Sequence, residues 1–297
     1  MEHHDYIIAD VRLRTDRSLV DAGLRGFAPF ESAVDGVADS IFITHEGVTV
    51  DGNSIIKRLS ESYLSEANAD GVLYKTTQGY LYRITPRCNE NKFTDFAIEL
   101  RTKRITTNIF NDSVNIAILR FGLWIMFGVV LATHNAIAIH SSVIECEGRA
   151  VLFLGESGMG KSTHTRLWRE NIEGAHLLND DSPIVRMADN RAVVYGSPWS
   201  GKTACYRNLS YPIAAFCRLN QAPHNAINRL SSIAAIGAIL PSTPPQFAHD
   251  DNLQDAICET LGKLLQCVPV FHLACLPNRD AALLSYKTTI LNESGIK

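Results

Sequence analysis

Two stretches of this 297-residue sequence have the residue types and spacing of a phosphate loop. Residues 155–163 read GESGMGKST and residues 196–203 read GSPWSGKT, and both fit G-x-x-x-x-G-K-[ST]. Such a loop works by backbone geometry. A strand ends, small residues let successive N–H groups turn inward, and a helix N-terminus adds its dipole. A lysine then reaches the outer phosphates, and the next hydroxyl holds magnesium.

The first stretch has every part. RAVLFL precedes it as a strand, Gly155, Gly158 and Gly160 give the tight backbone, and Lys161 and Ser162 open a helix, KSTHTRLWREN. Gly155, Glu156, Ser157, Gly158, Met159, Gly160, Lys161, Ser162 and Thr163 are therefore the expected nucleotide cradle. The second stretch is physically poorer. Pro198 lacks an N–H, Trp199 crowds the approach, and the segment after Lys202, TACYRNLSYP, is a weak helix former. Lys202 and an exposed Trp199 are candidates for contacts to an acceptor; a surface turn capped by a packing Trp is the alternative.

Phosphoryl transfer also needs a carboxylate, for the metal or for the acceptor proton. HLLNDDSPIV places Asp180 and Asp181 one helix and one short strand after Lys161. His140, in AIAIHSSVIE, is a further candidate; a core histidine is the competing reading. If its strand neighbours that of the loop, its ring faces the phosphates.

The His140-bearing strand, GESGMGKST and then NDD on the next strand resemble the kinase core of HPr kinase/phosphorylase and its relatives in the ATP-dependent phosphoenolpyruvate carboxykinase superfamily. GSPWSGK, RLNQAPHNAINRLS and VPVFHLACLPN resemble smaller HPr-kinase-like proteins of bacteria. The resemblance spans roughly residues 135–290. It implies an α/β phosphate-loop kinase core, binding of ATP and Mg2+, and transfer of the γ-phosphoryl group to a hydroxyl, typically a serine of a peptide, a protein or a small molecule. By position, Lys161 would neutralise the outer phosphates, and Ser162 or Thr163 would help hold magnesium. Asp180 would be the acceptor base and Asp181 a metal contact, with the reverse order open, and His140 would lie by the moving phosphate. The chain departs from the full HPr kinases in lacking their glycine-rich signature with a glutamate after the Asp pair, which tells against HPr itself as acceptor. A nucleotide-binding regulator without transfer is the alternative function. A carboxykinase is a third, though 297 residues leave little room for an oxaloacetate site.

The first ~110 residues are expected to be β-rich. YIIADVRLRT, SIFITHEGVTV, GVLYKTTQGYLYRIT and FTDFAIELRTKRITT are strand-like, with turns at His45-Glu46-Gly47 and Thr77-Gln78-Gly79 and a loop at SEANADGV. The expected division is 1–110 as this region and 111–297 as the phosphate-loop domain. Residues 114–132, VNIAILRFGLWIMFGVVLA, tempt a membrane reading. Their uninterrupted apolar run, Phe121 to Ala132, is shorter than the roughly 20 residues a span needs, so a buried core helix is expected. Strands AIAIHSSVIE, HLLND, SPIVRM and RAVVYG follow, then helices SSIAAIGAIL and NLQDAICETLGKLLQCV, a strand PVFHLACL and a final amphipathic segment.

Composition narrows the function classes. A hydrophobic share of 46% suits a globular protein with a real core. A net charge of −3, with both signs interspersed, argues against nucleic acid or an anionic membrane as partner. The seven cysteines form no C-x-x-C pair, so no zinc or redox motif arises. Their odd number and the lack of a recognisable leader fit reduced thiols in the cytoplasm. A homo-oligomer is compatible with the sequence.

Overall fold

The structure is a computed structural model that describes residues 3–16, 24–34, 36–44, 52–89, 91–109, 115–201 and 203–291. The chain is mixed α/β with two large sheets, and it divides into two compact units. The first comprises Met1–His134 and Pro245–Ala256, the second Asn135–Pro244 and Ile257–Lys297.

The first unit carries strands His3–Ile8 (β1), Val11–Asp16 (β2), Ser40–Thr44 (β3), Ile55–Leu64 (β4), Ala69–Thr76 (β5), Gly79–Pro86 (β6), Thr94–Glu99 (β7) and Arg104–Thr107 (β8). They form one sheet in the order β1-β2-β3-β8-β7-β6-β5-β4. β4 to β8 are a run of antiparallel neighbours, and β3 lies parallel to both β2 and β8. Ala9 and Asp10, at φ 53° and 62°, make the tight turn that joins β1 to β2. SEANADGV is only partly a loop: β5 already begins at Ala69, where alternating burial of Ala69, Gly71 and Leu73 sets a strand period. The turn signal at residues 45–47 lies outside the described residues.

Helix Ile116–Thr133 (α1) is capped by Asn115, whose side chain accepts from the N–H groups of Ala117 and Ile118. By length and composition alone it could cross a membrane. Most of its residues are buried, and it packs on β6 and β7. Gly122 makes that approach possible, because a Cβ there would strike the Phe96 ring. The first unit thus runs past residue 110, the expected boundary, to His134: the apolar helix belongs to the sheet it covers.

The second unit holds Ala136–Ala138 (β9), Ser141–Cys146 (β10), Arg149–Leu154 (β11), helix Lys161–Asn171 (α2), His176–Asp181 (β12), Ile184–Ala188 (β13), Arg191–Tyr195 (β14), Ser210–Gln221 (β15), Ala226–Arg229 (β16) and helix Ser232–Ile239 (α3). Helix Asp251–Cys267 (α4) contributes its later residues, followed by Val270–Cys275 (β17) and helix Arg279–Thr289 (α5). The sheet runs β12-β10-β11-β15-β14-β13-β9, with β17 beside β15 and β16 beside β17. β15 is the long shared strand: its start pairs with β14, and its later part lies between β11 and β17.

α2 and α5 cover one face. Phe153, Trp168, Cys217, Leu273 and Ile290 form the core beneath them, with the Phe153 and Trp168 rings edge to face at 5.6 Å. His164 of α2 is 2% exposed and shares the hydroxyl of Ser285 with the indole N–H of Trp168. β9 leads into β10 and β12 into β13, so both connections cross between opposite ends of the sheet order. The N–H of Ile139 donates to Pro183 O at 2.9 Å and holds the two bends together.

Candidate functional site

β11 ends at Leu154, and the chain then needs conformations that L side chains rarely adopt. Gly155, Gly158 and Gly160 have φ of 156°, 81° and 100°. A Cβ on Gly158 or Gly160 would meet nothing within 4 Å, so the requirement is backbone conformation, not space. Gly160 caps α2, and its first helical bond is His164 N–H to Gly160 O, at 2.8 Å. The N–H groups of the first turn, at Lys161 to Thr163, therefore precede the helix ladder and face the loop end.

Lys161 is 9% exposed. Its ammonium curls over the loop and donates to Gly155 O at 2.7 Å and Glu156 O at 3.2 Å. Burial lowers its pKa, while the carboxylates of Asp181 and Asp180 pull it back up. Gln221 props the loop from β15, donating to Gly158 O at 3.3 Å.

Sheet register brings the acids to the same place. Ser141 of β10 lies opposite Leu154 of β11 and opposite Asp181 of β12; Ser142 lies opposite Phe153 and Asp180. The loop start, the acid pair and the beginning of β10 therefore form one row across three strands. Asp180 is 6% exposed and accepts a hydrogen bond from Ser162 Oγ at 3.0 Å. Asp181 differs: its side chain is 45% exposed, and its φ of 145° marks the bend where β12 turns toward β13. His140 stands on the facing bend between β9 and β10, with Nε2 3.7 Å from Asp181 Oδ1. Burial first, then the Lys161 charge, lowers the His140 pKa, and Asp181 and Asp180 oppose this.

The second glycine stretch has another form. No helix follows it; described residues 203–209 are irregular and β15 begins at Ser210. Trp199 is 6% exposed, not the exposed ring of the first reading; its burial agrees with the alternative of a packing Trp. Its carbonyl accepts from Asn179 Nδ2 at 3.1 Å, and the buried Ser197 hydroxyl donates to Ser182 O at 2.6 Å. Gly201 N–H donates to Asp180 O at 2.6 Å, and Asp181 forms a β-bridge with Ser200. The stretch braces the acid strand from behind. Lys202 lies outside the described residues.

Arg218 of β15, which carries no sequence motif, sits level with Leu154 at the loop start. Parallel pairing of strands far apart in sequence puts it there, and no local pattern announces it. Among the described residues no three His, Cys, Asp or Glu side chains gather into a metal cage. The donors present suit magnesium, which takes one or two carboxylates and completes its shell with phosphate oxygens and water. The Asp180 carboxylate is such a ligand, with the Ser162 hydroxyl 3.0 Å from its Oδ1 as a second oxygen beside the loop.

No protein-family model matches the chain, and no curated protein matches it. Among solved structures, the Hpr(Ser) kinase/phosphatase from Coxiella burnetii is 14% identical, aligned over 52% of this chain and 87% of its own, with a TM-score of 0.31. At that level nothing is carried from that protein to this one.

Proposed function

We infer that the second unit binds a magnesium–nucleoside triphosphate, ATP, on Gly155–Thr163 and transfers its terminal phosphoryl group to a hydroxyl-bearing acceptor. The observation that carries this reading is the 3.0 Å bond from Ser162 to the buried Asp180 at the foot of a loop with three positive-φ glycines. A turn formed by chance has no reason to pair its post-lysine hydroxyl with a buried acid of β12, two strands away in the sheet.

The loop amides and Lys161 hold the phosphates. Lys161 needs only to leave the Gly155 and Glu156 carbonyls and swing outward. Ser162 and Asp180 hold the magnesium, which when bound neutralises charge on the outer phosphates. Asp181, open to solvent beside His140, is placed to take the acceptor proton. The new bond joins the acceptor oxygen to the γ-phosphorus, the bond to the β-γ bridging oxygen breaks, and the acceptor proton passes to Asp181. This assigns the base to Asp181 and the metal to Asp180, the reverse of the order first implied by resemblance. Asp180 is too enclosed, and too engaged with Ser162, to meet an incoming hydroxyl.

The experiment is incubation of the full chain with magnesium and γ-labelled ATP, with and without serine-bearing peptides and small alcohols. Acceptor-dependent label transfer supports the reading. Tight binding with no label leaving ATP supports a nucleotide sensor instead, and no binding refutes both.

A further inference from the structure

Arg218 is the cation of this region that the cradle and the acid pair leave unused. One row back, Phe153 and Cys217 enter the core beneath α2 and α5. Arg218, next along the strand, therefore leaves the opposite face of the sheet at the level of the loop. Its side chain is 19% exposed. Its contacts are long: Nη1 lies 3.4 Å from Ala238 O and 3.4 Å from Ser242 Oγ, and Nη2 lies 3.9 Å from Glu156 Oε1. The Glu156 side chain is 79% exposed, so this ion pair is open to water and to competition. Ser242 also accepts the His140 N–H on its carbonyl, at 2.7 Å, which ties Arg218 and His140 to the same residue. The Arg218 charge is felt by both Lys161 and His140. A guanidinium has five donors in a planar fork that matches phosphate oxygens, and none of these contacts uses that fork well.

We propose that Arg218 binds the terminal phosphate: its guanidinium turns from Glu156 to the γ-phosphate of a nucleotide held on Gly155–Thr163, so the site distinguishes triphosphate from diphosphate. Glu156, exposed and 3.9 Å away, competes only weakly for the guanidinium against the more highly charged phosphate. The proposal rests on the reading of this loop as a nucleotide cradle.

The test needs no acceptor. ATP and ADP, each with magnesium, are titrated into the wild-type chain and into Arg218→Gln, Arg218→Lys and Glu156→Gln. The wild type prefers ATP. In Arg218→Gln, ATP affinity falls roughly 10- to 100-fold, as for a lost hydrogen bond to a charged group, while ADP affinity holds. Arg218→Lys restores part of the preference, and Glu156→Gln raises the ATP-to-ADP ratio. An unchanged ratio in Arg218→Gln, or equal loss of both nucleotides, overturns the assignment and leaves the guanidinium a structural tie to Ala238 and Ser242. A wild type that binds neither nucleotide instead refutes the cradle itself.

Discussion

Ser162 donates its hydroxyl hydrogen to Asp180 across 3.0 Å, joining the first turn of α2 to the end of β12. Asp181, the next residue, is turned outward toward His140 at 3.7 Å. Two adjacent acids are thus given two environments. Asp180→Asn is expected to weaken magnesium-dependent ATP binding by roughly 10- to 100-fold, because it removes a charged partner from the metal-holding pair. Asp181→Asn is expected to keep that affinity and lower turnover by roughly 10²–10⁴, the usual contribution of one general base. Nucleotide titration and single-turnover transfer on both variants check this; the opposite pattern would restore Asp180 as the base.

His164 predicts the acid sensitivity of the second unit. Burial holds its pKa at about 4, against 6.5 for the free side chain. Between those values the unfolded chain binds a proton that the folded chain refuses, so stability falls as pH drops from 6.5 toward 4. The cost is about 2 kcal/mol between pH 7 and pH 5. Urea unfolding at the two pH values should show this loss in the wild type and a smaller one in His164→Gln. Equal losses would mean that His164 titrates normally.

Gly196 and Trp199 answer for the second glycine stretch. A Cβ on Gly196 would strike the Arg207 carbonyl, and Trp199 is buried. Gly196→Ala and Trp199→Ala are therefore expected to lower stability, the latter by roughly 3–5 kcal/mol as a large-to-small core change. Thermal unfolding reads this directly. A stable Trp199→Ala protein with only a raised acceptor KM would return Trp199 to the role of an acceptor contact.

The local parts of this site were legible, because each rests on neighbours in sequence. RAVLFL, the three glycines and KSTHTRLWREN specify strand, loop and helix in turn, and α2 spans Lys161–Asn171. The β-rich character of the first unit was legible from its β-branched and aromatic runs. What was not legible depends on pairing at a distance. β15 was missed because SYPIAAFCRLNQ carries a proline as its third residue and is rich in small residues; Pro212 is tolerated near the strand start, opposite Val193. With β15 unseen, Arg218 could not be placed beside the loop. Trp199 was left open between two readings for a related reason: the stretch that holds it is bonded to Asn179 only when it folds back on β12. The two bends that bring His140 to Asp181 leave no local signature either.

The two glycine stretches differ most sharply in which lysine serves the nucleotide. Calorimetric titration of magnesium–ATP into Lys161→Ala and Lys202→Ala is the deciding measurement. Lys161 lies at the mouth of an unbroken row of backbone donors that opens a helix, whereas the stretch containing Lys202 is interrupted by Pro198 and followed by no helix. Binding is expected to be lost in Lys161→Ala and kept in Lys202→Ala. Binding kept in Lys161→Ala and lost in Lys202→Ala would contradict it, and with it the roles given to Ser162, Asp180 and Asp181.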